Sequence, residues 1–394
     1  MKTLNKKNFS IIAKVASNIS QAKRIKCSKT NAIKSPYVIG LKLTNKCNLR
    51  CRHCYEWNDR GYHNYMKYNE QNAELDFSII EKIIKETDDT KAMFYLWGGE
   101  PFVYKHIRKL LMTLAKNKRY VVICTNAILL PNYYDLVCEF DENIELLIAL
   151  DGDMESNDAL RGQGTYTKVV KVIKDLIELK INGFFHGKIS IHTMISNENL
   201  DTLNNYVETI NNLGIDDLIL CLPWYISEKT SRSMDVYYFN YLSNGRTIDL
   251  SMPSWHAYKY KIDECNINKV HKFIENTKRK AMKINVQFQP DLSGDELTSF
   301  LRGNEIINCD GRECLTVYSR MDVLPTGKVT FCKHFKELEY GNLINSSIKE
   351  LWNSTVINDF RDLLNLHPMP VCSKCNNLYR NSYKCINGGI KKYD

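Results

Sequence analysis

Apolar runs too continuous for half-solvated strands alternate with amphipathic helical patterns, and this alternation limits the possible folds more than any other feature. The runs are Tyr37–Leu43 (YVIGLKL), Ala92–Trp97 (AMFYLW), Tyr120–Cys124 (YVVIC), Ile144–Leu150 (IELLIAL), Lys188–Ile195 and Asp217–Leu222. Helical patterns lie between them at Phe77–Glu86, His106–Lys116, Thr167–Leu179 and Leu200–Leu213. Strands apolar on both faces and separated by helices predict a parallel sheet covered by those helices. Six βα units are too few to close an eight-fold barrel, so the expected fold is α/β, a partial (βα)6 barrel of the TIM type. A helix at Lys269–Lys283 and a strand at Ile284–Phe288 complete a unit expected to span residues 37–290.

In such folds chemistry gathers at the carboxyl ends of the strands. Four of the runs end in unusual sequences. The first leads straight into CNLRCRHC, Cys47 to Cys54; the second ends in Gly98-Gly99-Glu100-Pro101, the third in Thr125-Asn126, the fourth in Asp151-Gly152. The chain has 14 cysteines in 394 residues, three of them in Cys47–Cys54 and six between Cys309 and Cys385. A chain this long buries an adequate core without disulfide staples. Short spacings without a secretion signal therefore point to metal or iron–sulfur ligands. Cys47-x3-Cys51-x2-Cys54 suits three corners of a cuboidal [4Fe–4S] cluster with the fourth iron open, whereas zinc favours four protein ligands in paired C-x2-C units.

Hydrophobic residues at 44% and charged residues at 25% exclude a disordered chain. No apolar stretch reaches the ~18 residues of a membrane span, so no membrane partner is expected. The formal net charge of +9 is concentrated at the start, where no Asp or Glu precedes Glu56. Residues 1–36 read as a basic helical segment, either packed on the body or offered to a partner. Lys14 interrupts any secretory apolar region, and the expected compartment is the cytoplasm. Positive charge alone does not specify a nucleic acid, and none is expected as a partner. Residues 226–265 carry many aromatics without a clear period and form either a lid or a linker packed by its own rings. Residues 291–394 shift to short elements rich in Gly and Cys, with a hairpin at LTVYSRMDVLPTGKVTFC turning on Pro325-Thr326-Gly327.

The segment LTNKCNLRCRHCY resembles the signature of the radical S-adenosylmethionine (SAM) superfamily, C-x3-C-x-aromatic-C, with His53 in the aromatic position. Gly98-Gly99-Glu100-Pro101 resembles the motif after that family's second strand. The resemblance implies that the glycines let backbone groups approach the methionyl amine of SAM while a carboxylate accepts its hydrogen bonds. DGDMESNDALRGQGTYTKVVKVI (Asp151–Ile173) is similar to the corresponding stretch of the SPASM branch. It makes Arg161 a candidate partner for the SAM carboxylate, with His53, Asn126 and Asp151 beside it. Ala149 stands where that branch commonly has Ser, and Ala127 where it has Gly.

The C-terminal region resembles a SPASM extension in its shortened "twitch" form. Carried over position by position, the resemblance implies one auxiliary [4Fe–4S] cluster on Cys309, Cys314, Cys332 and Cys385. It leaves Cys372 and Cys375 as an incomplete pair, for which zinc with His334 or His367 is the alternative. Cys124 and Cys221 read as core residues, or as hydrogen donors of the kind epimerising relatives use. The implied activity is that of an oxidoreductase, reductive cleavage of SAM to a 5′-deoxyadenosyl radical that takes a hydrogen atom from a substrate. A ribosomally made peptide or protein side chain is the first expectation, modified by cross-linking, epimerisation or oxidation; a small molecule is the second. A flavodoxin- or ferredoxin-type electron donor is implied. A non-catalytic iron–sulfur or zinc protein would keep the cysteines but have no use for Gly98–Pro101.

Overall fold

In a computed structural model of the chain, residues 35–243, 252–304 and 312–381 are described, with residues 385–386 and 389–390 described as strands only. The basic helical segment expected at residues 1–36 lies almost wholly outside them, as does Cys309. Seven strands run parallel to their neighbours: β1 (Val38–Lys42), β2 (Met93–Trp97), β3 (Val121–Thr125), β4 (Ile144–Ala149), β5 (Lys188–Met194), β6 (Asp217–Cys221) and β7 (Asn285–Gln289). Between them come α1 (Phe77–Glu86), α2 (Ile107–Lys116), α3 (Met154–Arg161), α4 (Thr165–Ile181), α5 (Leu203–Asn211), α6 (Glu228–Tyr237) and α7 (Ile267–Arg279). The partial barrel expected from the sequence is present, and the strand expected at Ile284–Phe288 is its seventh parallel strand.

Strand alternation sorts the side chains into two layers. Phe94, Leu96, Val121, Ile123, Ile189 and Ile191 face the helices and belong to the main apolar core. Met93, Tyr95, Cys124, Val122, Leu147 and Ile219 point the other way and form a small second cluster inside the barrel. That concave side opens at the carboxyl ends of the strands, where burial is shared with polar groups.

The hairpin expected near residue 325 forms from β8 (Arg320–Val323) and β9 (Lys328–Thr330), joined by β10 (Glu339–Asn342). It does not make a sheet of its own. β8 pairs in parallel with β1, giving one sheet in the order β10-β9-β8-β1-β2-β3-β4-β5-β6-β7. An uncovered β1 would present a row of unpaired backbone groups, and the hairpin removes that edge. Gly40 is needed for the join, because a Cβ there would stand 1.9 Å from Asp322 Oδ1 and 2.4 Å from an Arg320 nitrogen. After β10 come α8 (Thr355–Leu366), a 3-10 turn at Pro370–Lys374 and the short α9 (Asn376–Asn381).

The described part of the aromatic insertion packs inward. Trp255 and Tyr258 are fully buried, and Tyr258 stacks on Tyr55 with ring centroids 4.2 Å apart. Its hydroxyl donates to the His334 carbonyl at 2.8 Å, and the Ser254 backbone N–H donates to Glu337 at 2.8 Å. These residues tie the cysteine loop of β1 to the C-terminal extension, while Phe239 and Tyr241 are exposed. Among the described residues no helix is long and apolar enough to cross a membrane.

Candidate functional site

The first cysteine loop leaves β1 and is fastened to the end of β2 by backbone hydrogen bonds, Gly99 N to Thr44 O and Glu100 N to Lys46 O, both 2.9 Å. This contact explains the two glycines. A Cβ on Gly98 would lie 2.5 Å from the Thr44 oxygen, and one on Gly99 would lie 2.0 Å from the Lys46 oxygen. In this protein the loop itself makes the close approach that Gly98-Gly99 permits. Beneath the loop, Lys42 pairs with Glu56 at 2.7 Å, and Tyr62 donates to Glu56 at 2.8 Å, all buried. That network was not legible in the sequence, because nothing marks Glu56 as a buried acid.

Each of the three sulfurs has a donor. Leu49 N–H donates to Cys47 Sγ and Trp57 N–H to Cys54 Sγ, each at 3.4 Å, and Arg161 Nη1 stands 3.9 Å from Cys51 Sγ. Burial pushes the thiols of Cys47 and Cys54 up to about 12. Such groups become thiolates at neutral pH only when a metal supplies positive charge. Among the described residues no group of three or more His, Cys, Asp or Glu could hold a single metal ion. The donor set thus fits an extended iron–sulfur cluster, whose ligands bind separate irons, better than zinc.

Arg161 sits in the last turn of α3, which starts on Asp153, whose side chain accepts from Ser156 N at 3.0 Å. Its Nε donates to Asp151 at 2.7 Å, and Asp151 also accepts from Met194 N at 2.7 Å. Burial works against ionisation of Asp151, but Arg161, His53 and the Met194 N–H outweigh it and hold the carboxyl low. His53 Nε2 stands 3.5 Å from the same carboxylate. Burial pulls the His53 imidazole down to about 4, so at neutral pH it is an uncharged ring, as an aromatic position requires.

Glu100 caps the 3-10 turn Pro101–Val103 and is 1% exposed. Oε1 accepts from Thr125 Oγ1 at 2.6 Å and from Phe102 N at 3.1 Å, and Oε2 accepts from Asn126 N at 2.8 Å. The carboxylate therefore ties the end of β2 to the end of β3. Asn126 continues the chain of contacts by donating to Asn48 Oδ1 at 2.8 Å. Ala127, standing where glycine is usual, has φ 63°, a left-handed conformation that costs a non-glycine residue roughly 1 kcal/mol.

Burial raises the Glu100 carboxyl to about 7. In metal-free protein the folded state keeps this proton where the unfolded chain has released it. The associated stability is fully present below the unfolded value near 4.5 and is lost as pH rises through about 7, a change of about 3 kcal/mol. Thermal unfolding of the metal-free protein at about pH 5 and about pH 8 should show a larger loss in the parent than in Glu100→Gln. Equal pH dependence in both would contradict this assignment.

Among the described residues, four cysteines of the second set come together. One cavity is lined by Cys314, Cys332, Cys372 and Cys375, with Trp224 and His334 in its wall. Burial pushes Cys375 up to about 11 and Cys332 well above its ordinary value, and Cys314 and Cys375 each raise Cys332 further. Of the expected set Cys309, Cys314, Cys332 and Cys385, the two whose side chains are described, Cys314 and Cys332, line this cavity. Cys309 is outside the described residues, and Cys385 is described only as part of a short strand pair. Cys372 and Cys375 meet Cys332 across some forty residues because α8 and the turn after it return the chain to the end of β9. His334 lines the same cavity, whereas His367 stacks on Tyr241.

Cys124 and Cys221 face the inside of the barrel and not the helical layer. Asn376, directly after Cys375, donates to Cys221 Sγ at 3.0 Å. His192 on β5 is a further neutral ring on this side, its pKa pulled down to about 4 by burial. Sequence reasoning missed His192 and Lys333; strand alternation was the signal that could have found His192.

Residues 41–210 match the radical SAM superfamily, and residues 314–376 match the SPASM iron–sulfur cluster-binding domain. The antilisterial bacteriocin subtilosin biosynthesis protein AlbA of Bacillus subtilis is 21% identical over 84% of this chain and 63% of its own length. The mycofactocin maturase MftC of Mycolicibacterium smegmatis is 25% identical over 44% of this chain and 41% of its own. The chain thus spans about two fifths to under two thirds of these relatives. Streptococcus suis SuiB, solved with S-adenosylmethionine, shares the fold at a TM-score of 0.58, with 14% identity over 95% of this chain and 79% of that one. SuiB has also been solved bound to the precursor peptide SuiA.

Proposed function

Residues 41–210 are a radical SAM domain and residues 314–376 a SPASM domain, and from that premise we propose that the protein is a radical SAM enzyme that modifies a ribosomally made peptide. The observation that carries the proposal is the convergence of Cys47, Cys51 and Cys54 with Glu100, Asp151 and Arg161 at one rim. Bound there, a [4Fe–4S] cluster with an open iron supplies the reductive cleavage of SAM that yields a 5′-deoxyadenosyl radical.

The chain's own residues do the rest. Cys47, Cys51 and Cys54 hold the irons, and the Leu49 and Trp57 N–H groups with Arg161 lower the cost of their negative charge. Arg161, whose Nε is given to Asp151, would bind the methionyl carboxylate through its remaining guanidinium N–H groups. The remaining lone pair of Glu100 Oε2 suits the methionyl amine, with Gly98, Gly99 and Pro101 shaping that edge and Asn126 beside it. Uncharged His53 packs against the cluster side without adding charge. Cys314, Cys332, Cys372 and Cys375 hold one auxiliary cluster, so the chain carries two in all. Maturases among the relatives and a peptide-bound neighbour favour a peptide over a small molecule. A flavodoxin or ferredoxin as reductant and a cytoplasmic location complete the reading.

The test is anaerobic reconstitution followed by incubation with SAM, dithionite and a fully deuterated peptide digest. We expect about eight irons per chain and release of 5′-deoxyadenosine carrying deuterium. A well-loaded sample that releases none refutes radical chemistry. Release without deuterium in the product refutes the peptide half.

A further inference from the structure

Between the two cysteine sites stands one ammonium without a partner. Lys333 follows Cys332 in the turn after β9 and lines the four-cysteine cavity, with its ammonium directed at the inward face of β2. Its Nζ lies 5.2 Å from the Tyr95 ring centre and 5.9 Å from that of Trp97, both on the inward face of β2. It makes no hydrogen bond or ion pair among the described residues. The neighbouring charges are already matched: Arg320 with Asp322 at 2.6 Å, Arg161 with Asp151 at 2.7 Å, and Lys42 with Glu56 at 2.7 Å. Arg320 covers the same Tyr95 ring, 4.7 Å from its centre, so Asp322 is shared between two cations and leaves a net positive charge.

The position of this charge is central. Lys333 acts electrostatically on Cys124, His192 and Cys221 at the ends of β3, β5 and β6, and on Cys375 of the second site. A substrate reached from the first site and in contact with the second must pass through this space. Tyr95 and Trp97 wall the ammonium, and apart from Asp322 the groups coupled to it on the chamber side are uncharged His192 and two thiols. A buried cation is stabilised by anionic partners, and on the chamber side of Lys333 a substrate carboxylate is the partner that fits.

We propose that Lys333 is the specificity-determining residue of the substrate chamber and that it binds a carboxylate of the peptide beside the reacting residue. The inference rests on the peptide reading above and narrows it to acidic substrates. The carboxylate belongs either to an Asp or Glu side chain or to the peptide's C-terminus.

The test is affinity selection from randomised decapeptide pools on immobilised, iron-reconstituted protein with SAM, using one pool with free C-termini and one amidated. We expect at least about tenfold enrichment of an acidic residue at one position, or of free over amidated C-termini, and the pool that responds identifies the source. Lys333→Met should lose the enrichment while keeping its iron, and Lys333→Arg should retain it. Enrichment unchanged in Lys333→Met overturns the proposal, and so does a wild-type protein that selects no carboxylate, a result that needs no variant to fold. A shift in the potential of one cluster in Lys333→Met, with acidic selection intact, also overturns it and makes the lysine a counter-ion of the auxiliary cluster. Failure of the radical reading is separate: it shows as absent 5′-deoxyadenosine in the wild type, whatever the peptide selection.

Discussion

Replacing Cys47, Cys51 and Cys54 together with alanine is expected to take the reconstituted protein from about eight irons per chain to about four and to abolish 5′-deoxyadenosine release. The size of the effect follows from the burial of these thiols. Removing one sulfur leaves a cluster with two protein ligands and an opened cavity, and the N–H groups of Leu49 and Trp57 aimed at Cys47 and Cys54 then face no thiolate. The fold should survive, because the loop is also held by the Lys42–Glu56–Tyr62 network and by backbone bonds to Gly99 and Glu100. Circular dichroism unchanged with four irons retained would localise the loss to the first site. A triple variant that still releases 5′-deoxyadenosine would overturn the assignment of this loop.

The second large effect separates the four cysteines that line one cavity from the ligand set that the family resemblance implied. Cys372→Ala and Cys375→Ala are each expected to remove the auxiliary cluster, lowering iron from about eight to about four while SAM cleavage at the first site persists. Cys309→Ala is expected to keep all eight, since Cys314, Cys332, Cys372 and Cys375 already supply four thiolates around one cavity. Iron and sulfide analysis with electron paramagnetic resonance of the reduced samples decides between the sets. Full iron in Cys372→Ala together with loss in Cys309→Ala would restore the pairing read from the sequence.

The two results weigh differently on what sequence reasoning reaches. The first cysteine loop is local: three ligands within eight residues, directly after an apolar strand, define their own geometry whatever surrounds them. The second set is not local. Cys332 and Cys372 are forty residues apart, and many returns of the chain are compatible with that spacing. Only the docking of α8 and the Pro370–Lys374 turn against β9 selects one.

The same division runs through the fold. Arg161 came from the family resemblance, while alternating apolar runs and amphipathic helices were enough to determine the parallel sheet, the strand ends as the chemical rim, and Gly98, Gly99, Glu100 and Asp151 on that rim. This is because a period of two or of 3.6 residues is written into each segment separately. Tertiary structure decided that the late hairpin joins β1, with Gly40 making room for Arg320 and Asp322. It also decided that Glu56 is a buried counter-ion, that the close approach permitted by Gly98-Gly99 is made by the protein's own loop, and that Lys333 is left facing the chamber alone. Each of these depends on which charge or carbonyl arrives opposite a given residue, and that is settled by packing between segments far apart in the chain.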